Sequence, residues 1–100
     1  MKTISKKFLV FMDENMDFSI HLAMVDFHKD IKAPANTAAR CGGGWWSFDN
    51  KTGTLRLYDD SADFGKYNKE QAQEAFDAKR VFYFGEECYE EFDMKKIQLD

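Results

Sequence analysis

The chain contains Cys41-Gly42-Gly43-Gly44-Trp45-Trp46 and, shortly after it, Leu55-Arg56-Leu57-Tyr58-Asp59-Asp60-Ser61-Ala62-Asp63-Phe64-Gly65. A triple glycine, an alternating strand and a polar turn that ends in glycine follow in succession. Glycine lacks a side chain and adopts backbone angles that other residues avoid, so this order indicates bare backbone close to another group. That group is either a ligand or a neighbouring strand, and the sequence leaves both open.

Hydrophobic residues alternate in several segments, as they do in strands whose two faces have different surroundings. This pattern predicts strands over residues 3–12, 16–24, 41–48, 54–58 and 80–84. The first has apolar side chains on both faces, which predicts an inner strand of a sheet covered on both sides. The second also fits a helix from about residue 16 to residue 28, although its regular alternation favours the strand. Residues 49–53 have the composition of a hairpin turn.

Two helices are predicted between these strands. The first lies within residues 26–40, where Pro34 either breaks it or opens a helical turn. The second covers about residues 69–79, with Asn68 as its N-cap and Gln71 at the third helical position. The chain is therefore predicted to be an α+β domain with one mixed or antiparallel sheet of five or six strands and two helices. Apolar residues near the end predict that the tail packs on this domain: Phe92, Met94, Ile97 and Leu99.

The composition restricts the class of protein. One hundred residues, 44% of them hydrophobic and 16% aromatic, predict a single domain over residues 1–100 with an aromatic-rich core. The net charge of -4 argues against nucleic acid as a partner, because phosphate backbones require a basic surface. No apolar run reaches the length of a membrane span, and two cysteines without zinc spacing fit a reducing compartment. We therefore expect a cytoplasmic domain without metal or other cofactor that binds neither nucleic acid nor membrane.

Four segments resemble the phosphohistidine phosphatase family, which includes the Janus and Ocnus proteins. Lys7-Phe8-Leu9-Val10-Phe11 is similar to the family's first strand, and His28-Lys29-Asp30-Ile31 resembles its H-x-D-I motif, in which the histidine is catalytic. Cys41-Gly42-Gly43-Gly44 approximates its C-x-G-G-G motif. Residues 57–65 resemble its tyrosine-containing strand and the loop that holds phosphate. The resemblance implies that family's fold and metal-independent hydrolysis of the N–P bond in phosphohistidine or phospholysine.

The residues in these segments suit that chemistry. An imidazole titrates near neutral pH, so His28 is the strongest candidate for a general base or nucleophile. Lys7 would supply positive charge to a phosphoryl group. Ser61 offers a hydroxyl, while Ala62 and Asp63 offer backbone N–H groups that form an anion-binding nest. The structural alternatives are a surface histidine, a solvated lysine and an ordinary polar turn.

Other features favour a non-catalytic binding module on the same scaffold. Trp45 stands where the family has a basic residue, and the family's further histidine after the phosphate loop is absent. Asp60 and Asp63 add negative charge beside the loop, which disfavours an anion. On this alternative, an exposed tryptophan and the acidic segment after residue 85 contact a protein partner. A phosphoprotein substrate and a protein partner therefore both stay open, as does the oligomeric state.

The remaining histidine, cysteine and tryptophan residues have weaker functional signals. His21 is expected on the strand face opposite Ile20 and Leu22, and its spacing from the cysteines does not support a metal site. Cys41 lacks the C-x5-R signature of cysteine phosphatases, because the arginine precedes it. Adjacent tryptophans in a strand point to opposite sides, so one of the pair is expected in the core.

Overall fold

The computed structural model describes residues 5–100. Its strands are β1 (Lys6–Asp13), β2 (Phe18–Met24), β3 (Thr37–Asp49), β4 (Thr54–Tyr58), β5 (Val81–Tyr83), β6 (Glu86–Glu87) and β7 (Lys96–Leu99). Its helices are a 3₁₀ helix (His28–Asp30) and α1 (Lys69–Asp77). The strands form one sheet in the order β6-β5-β2-β1-β3-β4-β7. The α+β class is therefore confirmed, with seven strands and one α-helix in place of the predicted five or six strands and two helices.

The sheet is mixed, with β1 at its centre. Strand β1 pairs antiparallel with β2 on one side and with β3 on the other, and β3 continues through a hairpin into β4. The parallel pairs are β2 with β5 and β4 with β7. The long connection from β4 to β5 contains α1. This helix packs against β2 on the face of the sheet that carries Phe8 and Val10. Helix α1 has nine residues, and no helix within residues 5–100 has the length and apolar character needed to cross a bilayer.

Both faces of β1 are buried, which confirms the prediction of an inner strand. Phe8 and Val10 belong to the hydrophobic cluster that includes the buried side of α1. Leu9 and Phe11 point to the opposite face and pack in a second cluster with Ile31, from the segment after β2. Burial of these apolar side chains on both faces fixes the register of β1, because a shift of one residue would exchange the two sets. The predicted start of this strand at residue 3 lies outside the described residues.

Several local predictions are confirmed. Residues 18–24 form a strand and not the competing helix. Helix α1 begins after Asn68, whose side-chain oxygen accepts a hydrogen bond from the N–H of Gln71 at 3.0 Å. The tail packs on the core through buried Met94 and three partly buried neighbours, Phe92, Ile97 and Leu99.

The segment between β2 and β3 differs from its predicted helix. Only the 3₁₀ turn His28–Asp30 is helical; residue 31 is a bend, residues 32–34 have no regular structure and residues 35–36 form a turn. Residues 37–40, which include two alanines with good helical propensity, pair with β1 instead. Pairing with β1 outweighs intrinsic propensity here, so β3 begins four residues before the predicted start at Cys41.

The glycine run lies inside β3, at a β-bulge. Leu9 of β1 pairs with Gly43, whereas Phe11 pairs with Arg40, so two residues of β3 stand opposite Val10. Gly42 is in the bulge and has φ +92°, a conformation that L-residues rarely adopt. A Cβ at Gly42 would lie 2.5 Å from the carbonyl oxygen of Lys66. The bare backbone therefore accommodates the chain that follows β4, which is the strand-crossing alternative of the sequence analysis.

Gly42→Ala is expected to lower the free energy of unfolding by about 2 kcal/mol, because it combines an unfavourable φ with a contact to rigid backbone. Gly65→Ala is the matched control, since Gly65 has φ +81° and no atom within 4 Å of an added Cβ. The control should lose about 1 kcal/mol from its backbone angle alone. Urea denaturation measures both values, and equal losses would contradict the close approach at Gly42.

Candidate functional site

His28 packs directly on the glycine run. The chain leaves β2 and returns across β1, so that the 3₁₀ helix contacts β1 on the face of Leu9. A Cβ at Gly43 would lie 3.3 Å from Cδ2 of His28 and 2.7 Å from Cδ2 of Leu9. His28 is only 6% exposed, although Lys29 and Asp30 follow it. His28 is therefore buried and is not a surface histidine. The absent side chain of Gly43 makes room for its imidazole.

One nitrogen of His28 is fixed by the backbone. Nε2 lies 2.8 Å from the carbonyl oxygen of Gly44, and a carbonyl only accepts, so Nε2 carries the proton in this bond. In the neutral ring, Nδ1 then has the free lone pair. Within residues 5–100, Nδ1 has no hydrogen-bond partner, and the only fully enclosed side-chain polar atom without a partner there is Thr37 Oγ1. Nδ1 of His28 therefore keeps access to the surface as an acceptor.

The loop after β4 lies beside the same glycine. Gly43 donates its N–H to the carbonyl oxygen of Gly65 at 3.1 Å, and Gly65 forms two backbone hydrogen bonds with Ser61. Phe64 packs in the cluster of Leu9, on the face of the sheet that His28 occupies. His28 and the 61–65 loop are distant in sequence, but both contact Gly43. Phe64 of the loop also lies on the same face of the sheet as His28.

The loop has three available donors. Ser61 is buried, and its Oγ accepts a hydrogen bond from the N–H of Phe64 at 3.1 Å, which closes the turn. The backbone N–H groups of Ala62 and Asp63 have no acceptor within the described part of the chain, and both residues are exposed. The Ser61 hydroxyl keeps its own proton to donate. These are the three donors that the sequence predicted for a phosphate.

Lys7 is near the site but has neighbours of its own. It is paired with Trp45 across β1 and β3, and its ammonium donates a hydrogen bond to the carbonyl oxygen of Asp26. The ammonium nitrogen also lies 5.3 Å from the ring centroid of Trp45 and 5.7 Å from that of Phe27. Its charge therefore lies between two aromatic rings, which cation–π attraction stabilises.

The charge around the loop is mostly negative. Asp59, Asp60 and Asp63 are exposed, and Asp59 has a positive φ of 59°. Lys66 is exposed next to the loop. An anion held by the loop would therefore lie among carboxylates, and a basic ligand would find partners at its rim.

Phe27 and Trp45, which flank the ammonium of Lys7, adjoin the site besides the predicted residues. Phe27 is 57% exposed, and its position directly before His28 is the only signal for it that the sequence holds. Trp46 is the core tryptophan, 5% exposed, and its Nε1 donates to the carbonyl oxygen of Ala23 at 3.1 Å. Trp45 is only partly buried and lies on the face of Lys7, which agrees with the expected division of the pair.

The remaining titratable candidates lie elsewhere. His21 points away from Ile20 and Leu22, as predicted. It is buried on the face of the sheet that carries Leu9 and Phe11. Cys41 and Cys88 are free thiols, and burial raises the pKa of Cys88 to about 12. Among residues 5–100, no group of three or more His, Cys, Asp or Glu residues converges to hold a metal ion.

Comparisons with known proteins identify no relative of this chain. No family model, no curated protein and no solved structure matches the chain. The function is therefore argued from the geometry of His28, Lys7 and the 61–65 loop.

Proposed function

We propose that this chain is a cytoplasmic phosphohydrolase that cleaves the N–P bond of phosphohistidine or phospholysine in a protein substrate. The observation that carries the proposal is the hydrogen bond from Nε2 of His28 to the carbonyl oxygen of Gly44, which leaves Nδ1 without a partner within residues 5–100, while the 61–65 loop hydrogen-bonds the adjacent Gly43. A general base needs a fixed tautomer and an accessible lone pair, and this bond supplies the first without blocking the second. The sheet would then be a divergent form of the phosphohistidine phosphatase fold, a relationship supported by the four sequence segments.

The proposed reaction transfers the phosphoryl group to water. Nδ1 of His28 takes a proton from a water molecule while the water oxygen forms a bond to phosphorus. The P–N bond breaks, and its electron pair returns to the substrate nitrogen. The imidazolium of His28 returns the proton to that nitrogen, and inorganic phosphate leaves. No covalent intermediate on the enzyme is required.

The loop would bind the phosphoryl oxygens. The free N–H groups of Ala62 and Asp63 and the hydroxyl of Ser61 are donors that neutralise charge developing on those oxygens. Lys7 would attract the phosphoryl group electrostatically from the neighbouring strand. The carboxylates at the rim favour a substrate with basic residues around the phosphorylated side chain.

The test is phosphate release from a phosphohistidine peptide by the wild-type chain. The matched control substrate is the same peptide with phosphoserine, which presents an O–P bond. The proposal predicts turnover of phosphohistidine, with little or no release from phosphoserine. Absence of turnover for both phosphohistidine and phospholysine peptides would reject the phosphohydrolase.

A second candidate is a non-catalytic module that binds a basic protein segment. Two observations favour it. The ammonium of Lys7 already has the carbonyl oxygen of Asp26 and two aromatic rings as partners. Three exposed aspartates, Asp59, Asp60 and Asp63, lie in or next to the loop. Such a module would bind an unphosphorylated Lys/Arg-rich peptide at least as tightly as its phosphorylated form. Calorimetry with both peptides separates the candidates, because the phosphohydrolase requires preference for the phosphorylated form.

A further inference from the structure

A groove of 650 Å³ opens near β5 on the face of the sheet that carries Leu9 and Phe11. Its floor includes His21 and Ala23 of β2, and its walls come from Ile31 and Pro34 on one side and from Phe82 on the other. Apolar atoms dominate this lining, and the volume is typical of sites for small molecules. Neither His28 nor the 61–65 loop lines the groove, so it is distinct from the proposed phosphoryl site.

His21 gives the groove one specific polar group. The residue is only 6% exposed, and its ring stacks on Phe82 with centroids 4.8 Å apart and planes 10° apart. Phe11 meets the ring edge-on at 4.9 Å. Nε2 is 2.9 Å from the hydroxyl oxygen of Ser19, but Nδ1 has no partner within residues 5–100. Because the only fully enclosed unpartnered side-chain polar atom in that range is Thr37 Oγ1, Nδ1 of His21 is not fully enclosed, and its residue lines the groove.

The charged groups at the groove are already paired or solvated. Arg80 lies 3.5 Å from a carboxylate oxygen of Asp13 and 3.2 Å from one of Asp17. Asp30 and Lys32 on the opposite wall are exposed and of opposite sign. Burial lowers the pKa of His21 to about 4, so its imidazole is neutral at pH 7. A charged ligand on the groove floor would therefore lose its hydration, and the solvated charges of Asp30 and Lys32 would offset this cost only weakly.

We propose that this groove binds an uncharged, flat aromatic small molecule that carries one polar edge. The ring of the ligand packs among Phe82, Ala23 and the Ile31–Pro34 wall, and its polar edge hydrogen-bonds Nδ1 of His21. Phe84, 59% exposed at the rim, extends the aromatic wall toward solvent. The absence of an unpaired charge on the groove floor selects the uncharged ligand, and the stacked rings of His21 and Phe82 select the flat one.

The test uses quinolin-2(1H)-one as the probe, followed by backbone amide NMR shifts of the full chain. Its adjacent N–H and C=O groups match either tautomer of His21. We expect saturable shifts at residues 21–23, 31–37 and 82–85, with Kd of about 1 mM or lower for a molecule of this size. Quinoline-2-carboxylate is the charged control, and we expect it to bind at least about tenfold more weakly because its charge must be desolvated.

Two exposed alanines provide matched variants. Ala35 lines the groove and Ala38 does not, although only two residues separate them. Ala35→Trp should weaken binding of the lactam at least about fivefold, whereas Ala38→Trp should leave its Kd unchanged. His21→Phe keeps the stacked ring and should lose affinity by a similar factor because the hydrogen bond is removed.

Three results would overturn the proposal. Equal binding of the lactam and the carboxylate would exclude selection for an uncharged ligand. Lactam shifts that survive Ala35→Trp would exclude the groove as the site. Shifts at the groove residues that grow with protein concentration in the absence of any probe would instead assign the groove to a second copy of the chain.

Discussion

Replacing His28 with Gln is expected to lower kcat/KM for a phosphohistidine peptide by about a hundredfold or more, the usual scale for loss of a general base. Glutamine places an amide NH₂ near the position of Nε2, so the hydrogen bond to Gly44 can persist while the basic Nδ1 is lost. The fold should therefore be retained, as monitored by circular dichroism and thermal unfolding. Single-turnover phosphate release measures the rate.

Two further variants make this result specific. Lys29→Gln changes the exposed neighbour of His28 and should retain kcat/KM within about threefold. His28→Ala removes both ring nitrogens and should lose at least as much activity as His28→Gln, with some loss of stability from the vacated space beside Gly43. A folded His28→Gln protein with wild-type turnover would show that another group is the base.

The unfolding free energy is expected to fall by about 2–3 kcal/mol between pH 7.5 and pH 4.5 because of His21. Burial lowers its pKa from 6.5 to about 4 in the folded chain. Between these values the unfolded state binds more protons, so acid favours unfolding. This contribution is fully present above pH 6.5 and is lost as the pH falls toward 4, at 1.36 kcal/mol per pH unit. Urea denaturation at the two pH values measures it.

His21→Phe is the control for this titration. Phenylalanine retains the stack on Phe82 and the edge contact with Phe11, so the variant should fold. Its unfolding free energy should depend on pH by about 2 kcal/mol less than that of the wild-type chain over the same interval. If both proteins lose the same free energy, another group is responsible for the acid sensitivity.

Local patterns predicted the parts of the fold that local interactions decide. The alternation in β1, β2 and β4 and the Asn68 cap of α1 each depend on neighbours along the chain. Strand β3 could not be located in the same way, because residues 37–40 take their conformation from pairing with β1. The two-residue β6 and the β7 edge strand are also set by distant partners, β5 and β4.

The candidate site was predicted in its residues but not in its environment. The glycine run indicated a close approach, and the structure places Lys66 there on one side and His28 on the other. The burial of His28 was not predictable, because its sequence neighbours are charged and its cover comes from β3. The groove at His21 escaped the sequence analysis entirely, since separate segments before and after the glycine run build its walls.

We propose that His28 and the 61–65 loop serve one anion site. The most direct measurement is titration of the full chain with inorganic phosphate, followed by the amide resonances of Ala62 and Asp63 together with the imidazole nitrogens of His28. We predict that all of them shift with a single Kd and that His28→Gln leaves the amide shifts saturable at a higher Kd. Saturable shifts at the loop with an unmoved imidazole, or no saturation at either, would contradict the account.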